Sequence, residues 1–323
     1  MVQETAIRRS ERAAYLQELR YALSLLLKNK LVFAGLLMSL FFIAVAALAN
    51  VLVNPDEALS LNYSYAYCWS NPYLNWGTQS PSCPANSNEG QLIINPLYAF
   101  PYALGGDGYG RDLLHMIVLA LPLDLKVALT IVALATAIGV LIGSIAAYLG
   151  GLFDEVILRI TDIFFAFPTL VLALVFAVLL GRNIQSLELA LLLVWWPPYV
   201  RLIRGQVLVE KEKAYAEALR ALGIGRLRLL LLHLIPNSIF PVLVQATLDI
   251  GGVILVFSAL MFLGFSPNPA LPELGNLASE GITHVFTAPW LIVFPGLAIL
   301  LVSLAFNLVG DGLRDVLDPR LRR

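Results

Sequence analysis

The chain has 323 residues, 59% of them hydrophobic and 13% charged, where a soluble domain carries about 25% charged residues. With a mean hydropathy of +0.79, that composition excludes a soluble globular domain and places the chain among polytopic membrane proteins. The net charge of −1 gives no bulk basic surface, so no nucleic-acid partner is expected.

In chain order, residues 1–30 are basic and place Tyr15, Leu16, Leu19, Leu23 and Leu26 at helical spacing. They read as an amphipathic helix resting on lipid at the inner surface, or else as a partly ordered tail, and not as a cleavable signal. Six apolar runs follow: Leu31–Val53, Leu125–Leu149, Ile163–Leu180, Leu187–Ile203, Ser238–Phe265 and Trp290–Val309. Each approaches the roughly 20 helical residues that cross a hydrocarbon core. The alternation that a membrane barrel needs is absent. The expected fold is an all-α polytopic membrane protein with six transmembrane helices. Runs three and four are joined only by Gly181–Ser186, which predicts a tight helical hairpin.

Orientation follows from the basic residues. Of 21 Lys and Arg residues, 18 lie before the first run, at Arg159, from Arg201 to Arg228, or after the sixth run. Both termini are therefore expected in the cytoplasm. The domain plan is a cytoplasmic segment 1–30, a first span 31–53 and an extracytoplasmic segment 54–120. A five-helix core 121–313 then contains a cytoplasmic loop at 204–236, and 314–323 form a cytoplasmic tail.

The outer segment is rich in Asn, Ser, Pro, Tyr and Trp between Leu61 and Asn95, and it holds both cysteines, Cys68 and Cys83. Two cysteines in one oxidising segment favour a disulfide over two free thiols. Closing a loop of about 15 residues is worth roughly 3 kcal/mol in the chain-entropy model. Asn62-Tyr63-Ser64 is a glycosylation sequon on the matching side, a tripeptide common by chance. Tyr63, Tyr65, Tyr67, Trp69, Tyr73 and Trp76 could stack on sugars or peptides, or could anchor and fill the segment itself.

Within the spans, Ala135, Gly139, Gly143, Ala147 and Gly151 recur every four residues, a stripe that lets another helix approach closely. Asp249, beside Gln245, is the clearest ionisable residue inside a span. It is a candidate for the translocation path, or a buried hydrogen bond at a helix kink. Asp124, Lys126, Asp162 and Glu188 lie nearer span ends. His115, His233 and His284 are dispersed, so no metal site is expected. No phosphate-binding G-x-x-x-x-G-K-[ST] and no G-x-S-x-G occurs, so no cofactor or catalytic set is expected on this chain.

Between the fourth and fifth runs the chain becomes polar. Tyr215, Ala216, Glu217, Ala218, Leu219, Arg220, Ala221 and Leu222 are mostly strong helix formers, with Tyr215, Ala218, Leu219 and Leu222 expected on one face. Gly223 can close that helix in the left-handed conformation. A second amphipathic run leads to Pro236, suited to a helix start.

This segment resembles the EAA loop of ABC importer permeases through Glu217, Ala218, Gly223 and Ile235-Pro236. Leu219 replaces the pattern's second alanine, and His233 stands where isoleucine is common. Further matches resemble the C-type permease of the dipeptide/oligopeptide/nickel family. They are Leu104–Asp112, Tyr148–Gly151, Ala166-Phe167-Pro168, Val200–Gln206, Phe262–Gly264, Ala288–Trp290 and Ala305–Arg320. The likeness spans about residues 8–53 and 98–323 and leaves the cysteine-bearing segment unexplained. It implies the type I importer permease architecture and a homologous B-type permease as partner. It also implies an extracytoplasmic substrate-binding protein and two ATPase subunits that carry ATP and Mg and dock on residues 215–223. The implied cargo is a peptide-like or oligosaccharide solute, and nickel also occurs in the family. A stand-alone secondary transporter or channel is the alternative, although one span Asp makes a poor proton relay.

Overall fold

The computed structural model describes residues 29–61, 66–68 and 102–317. The expectations for residues 1–28, Asn62, Cys83, the aromatic residues of the outer segment other than Tyr67, and the tail beyond Leu317 lie outside those residues. Among the described residues the chain is helical, with no strand.

Twelve α-helices are used below: α1 Lys30–Leu52, α2 Pro55–Ala58, α3 Leu113–Leu149, α4 Gly151–Phe165, α5 Thr169–Leu180, α6 Ile184–Lys211, α7 Ala214–Ala221, α8 Arg226–Leu229, α9 Ile235–Ser238, α10 Phe240–Leu260, α11 Leu274–Glu280 and α12 Trp290–Leu317. π-helical turns at Leu230–Leu234 and Met261–Phe265 follow α8 and α10. Side-chain caps set several starts. Asn29 accepts from the Leu31 N–H, Asp112 from Leu114 and His115, Asn183 from Ser186, and Glu273 from Gly275 and Asn276. Each cap satisfies donors that a helix start otherwise leaves open.

Five helices, α1, α3, α6, α10 and α12, are long and apolar enough to cross a membrane singly, and the α4–α5 pair makes up to six. The first, fourth, fifth and sixth runs correspond to α1, α6, α10 and α12. The third differs from expectation. Instead of one helix over Ile163–Leu180, α4 and α5 are bent by 93° across residues 166–168. Pro168 drives its predecessor away from helical dihedrals and itself sits at ψ 132°. The second span also begins earlier than Leu125. Asp112 caps α3 at Leu113, and Pro122 is carried inside the helix, so the helix that holds the second run starts well before it.

The predicted hairpin is present: α5 and α6 pack together, and Ser186 Oγ donates to Leu180 O at 2.9 Å. The bundle core lies where α3 meets α6 and α10, and where α12 closes on α10 and α1. The small-residue stripe does the work expected of it. A Cβ on Gly139 would lie 2.4 Å from Tyr199 Cβ, and one on Gly143 would lie 2.5 Å from Val200 O. Gly151 leaves the stripe, because its own Cβ would meet no neighbour and it starts α4.

Both ends of the bundle are fastened by polar contacts. At the end reached first by α3, the Leu104–Asp112 loop is a hub. Arg111 and Asp107 form an ion pair at 2.6 Å with side chains only 1% and 0% exposed. Arg111 Nη1 also donates to Ala270 O, and the Trp290 indole N–H donates to Gly106 O. Tyr67, left-handed at φ 57°, donates its N–H to Asp107 O, while Cys68 O accepts from Gly106. At the other end, called here the basic end, Arg204 grips Asp154 through two 2.6 Å bonds and Arg201 pairs with Asp162. These contacts tie α4 to α6.

Candidate functional site

Residues Tyr215 to Gly223 form one short helix and its C-terminal stop at the basic end. α7 spans Ala214–Ala221, Leu222 is its C-cap, and Gly223 follows at φ 78°. The Gly223 N–H donates to Arg220 O, and the Ile224 N–H reaches back to Leu219 O at 3.2 Å. That six-to-one bond is the signature of a Schellman stop, and only glycine adopts its left-handed dihedral without strain.

α7 is held rather than tethered. Glu210, buried in the last turn of α6, accepts from Lys213 Nζ at 2.5 Å and from the Tyr215 hydroxyl at 2.9 Å. Asn237 donates to the same hydroxyl, and Lys211 donates to Ala147 O on α3. Arg220 is exposed, yet its guanidinium turns back onto Ala216 O and Lys211 O. The position of α7 is thereby linked to α6, α3 and the α9 region.

The buried side of α7 is narrower than the period predicts. Tyr215 and Leu219 are partly buried and Ala216 is fully buried, but Ala218 is exposed and Leu222 is 79% exposed. The helix ends at Ala221, so the 3.6-residue period does not carry Leu222 back to the bundle. What faces outward is Glu217 with Ala218, Ala221 and Leu222, an acidic group beside a small apolar ridge.

The second candidate lies inside the bundle. Asp249 is in the middle of α10, half-buried, and its Oδ1 accepts from Gln245 Nε2 at 2.9 Å. Trp195 and Tyr199 of α6 flank it. Sequence reasoning missed those two aromatics. The signal was the run Trp195-Trp196-Pro197-Pro198-Tyr199 in an otherwise aliphatic helix. It also missed Glu210, for which a one-dimensional pattern holds no signal, because its burial arises from the fold-back of α7.

At the hub, the last helical residue of α11, Glu280, accepts from the Gly108 N–H. Burial, and then the nearby Asp107 carboxylate, push Glu280 up to about 7. Tyr67 Oη and His284 Nε2 lie 2.9 Å apart, which joins the outer segment to the loop before α12. Among the described residues, no group of three or more His, Cys, Asp and Glu is arranged to hold a metal ion.

Comparison with known proteins is specific. Residues 139–323 match the family described as binding-protein-dependent transport system inner membrane component. The dipeptide transport system permease protein DppC of Haemophilus influenzae is 36% identical over 90% of this chain and 92% of its own length. The protein of that name in Escherichia coli K12 is 42% identical over 84% of this chain and 91% of its own. The glutathione transport system permease protein GsiD of Pectobacterium atrosepticum is 36% identical over 68% and 73%. The family match covers residues 215–223, Asp249 and the last three spans. The chain belongs to the binding-protein-dependent transport system inner membrane components and is a multi-pass permease subunit of an ABC importer.

Proposed function

We propose that this permease carries a peptide-like solute inward, delivered by an extracytoplasmic binding protein and driven by two ATPase subunits. The carrying observation is α7: a helix fastened to the end of α6 and to Asn237 that turns Glu217, Ala218, Ala221 and Leu222 outward. An ATPase seated on that ridge would move α7, and the Glu210 network would pass the displacement into α6. ATP binding then shifts the balance between inward-open and outward-open states through differential contacts. ATP and Mg belong to the ATPases in this reading, and a homologous permease completes the path. The basic end, rich in Lys and Arg, is cytoplasmic. The relatives named for dipeptide and glutathione transport support a peptide-like solute over an oligosaccharide. In the outer segment, Cys68 is fully buried and is not a free thiol. A bridge to Cys83, the only other cysteine, follows in this reading.

The test is coupled uptake by the assembled complex in vesicles. Glu217→Lys reverses the charge offered to the ATPase, and Gly223→Pro removes both the left-handed stop and its N–H. Both variants should insert normally yet lose dipeptide uptake and stimulation of ATP hydrolysis. Wild-type coupling in both would overturn the assignment of α7. Gradient-driven uptake by the chain alone, without copurifying ATPases, would instead support a stand-alone transporter.

A further inference from the structure

Three helices meet around one uncompensated carboxylate. Asp249 is the tenth residue of the 21 in α10, so it lies near the middle of a span. Gln245 on the same helix donates to it, and Trp195 and Tyr199 of α6 flank it. The Tyr199 hydroxyl is directed at Asp249 and at Thr136 of α3. Tyr199 has no exposed surface, so its hydroxyl is enclosed between Asp249 and Thr136. Among the described residues, no Lys, Arg or His pairs with Asp249, whose charge is balanced by neutral donors only.

The carboxylate is half-buried, so part of it opens on the flank of this chain. A charged group at that depth does not face acyl chains; it faces protein or a wet cavity. We infer that Asp249, with Gln245, Trp195, Tyr199 and Thr136, forms a mid-membrane binding site for an ammonium group. Each part suits that ligand. The carboxylate supplies the charge, and Gln245, Trp195 and Tyr199 hold it in place as neutral donors without cancelling it. The inference deepens the permease reading, because a peptide-like solute carries one α-ammonium group. It rests on that reading only in taking the open flank as the solute path.

The experiment titrates the purified full chain in nanodiscs and follows indole fluorescence, to which Trp195 reports at the site. The probe is alanyl-alaninamide, whose only charge is its α-ammonium. N-acetyl-alanyl-alaninamide and KCl are the controls. A saturable change with the first alone is expected. Asp249→Asn keeps shape and hydrogen bonding, and should weaken the response at least about tenfold, the loss of one charge-assisted contact. Asp249→Glu should retain most of it. Tyr199→Phe should weaken it less than Asp249→Asn does. An absent response in the wild type, an equal response to the acetylated probe or to KCl, or an unchanged response in Asp249→Asn would each overturn the site. No ATPase takes part, so failure of the importer reading would appear in uptake and not in this titration.

Discussion

The hub at one end of the bundle and the proposed coupling loop at the other are both built from charged residues on short elements, and they use them in opposite ways. The hub buries its charges: Asp107 and Arg111 are sealed against each other and against the carbonyl of Ala270. The coupling loop keeps most of its charges in solvent and buries one, Glu210, which fixes the helix from beneath. A sealed ion pair fixes shape, because breaking it leaves an unmatched charge in a medium that cannot solvate it. An exposed charge on a fixed helix contributes little to stability and is free to meet another surface. The two ends thus divide the labour of rigidity and contact.

Four substitutions sharpen that division. The largest effect belongs to Arg111→Met. It leaves Asp107 buried and unpaired, and should cost about 3–5 kcal/mol, read as a fall in thermal unfolding temperature in detergent. A change near zero would mean that the hub is not the fastener described.

Next comes Glu280→Gln, which tests the hub by pH. The folded state raises Glu280 to about 7 from the ordinary 4.5, so folding favours its protonated form. Its contribution to stability is complete below pH 4.5, declines as pH rises through about 7, and is flat above that. The slope is at most about 1.4 kcal/mol per pH unit. Glu280→Gln should therefore match wild type at pH 4.5 and be the more stable of the two at pH 8. The opposite ordering at pH 8 would contradict a desolvated carboxyl.

At the coupling end, Tyr215→Phe removes one donor to Glu210 and should cost about 0.5–1.5 kcal/mol. Its clearest sign should be faster amide exchange in α7, with the long spans unaffected. The smallest stability change is expected for Glu217→Lys, within about 0.5 kcal/mol of wild type, even though coupled uptake is lost. Strong destabilisation by Glu217→Lys would place that residue among the fasteners and blur the contrast between the ends.

Much of this was legible in the sequence, for identifiable reasons. Apolar length located four spans directly, and the stripe at Ala135–Ala147 anticipated the close contact of α3 with α6. Helix formers followed by Gly223 anticipated α7 and its stop. Apolar length failed where sterics or caps overrule it. The 93° break at 166–168 sits inside an unbroken apolar run, and Pro168 redirects the chain without changing its hydropathy. Asp112 starts α3 well before the apolar run resumes beyond Asp124 and Lys126. Arg111 entered only as part of the matching run Leu104–Asp112, and its four-residue spacing from Asp107 was the available clue to the ion pair. Leu222 was assigned to a face of a helix that stops one residue before it.

α6 runs for 28 residues, about 42 Å at helical rise, from the hairpin to the coupling loop, with Pro197 and Pro198 inside it. Two adjacent imino acids remove two consecutive main-chain hydrogen bonds, those that would have reached the carbonyls of Leu193 and Val194. Bending the rod therefore costs least at that turn, which is the turn that carries Trp195 and Tyr199 to Asp249. In the proposed mechanism, α6 would work as a jointed crank. A stroke applied at Lys211 would then have its softest point beside the mid-membrane carboxylate, so the place where the helix yields would coincide with the proposed ammonium site.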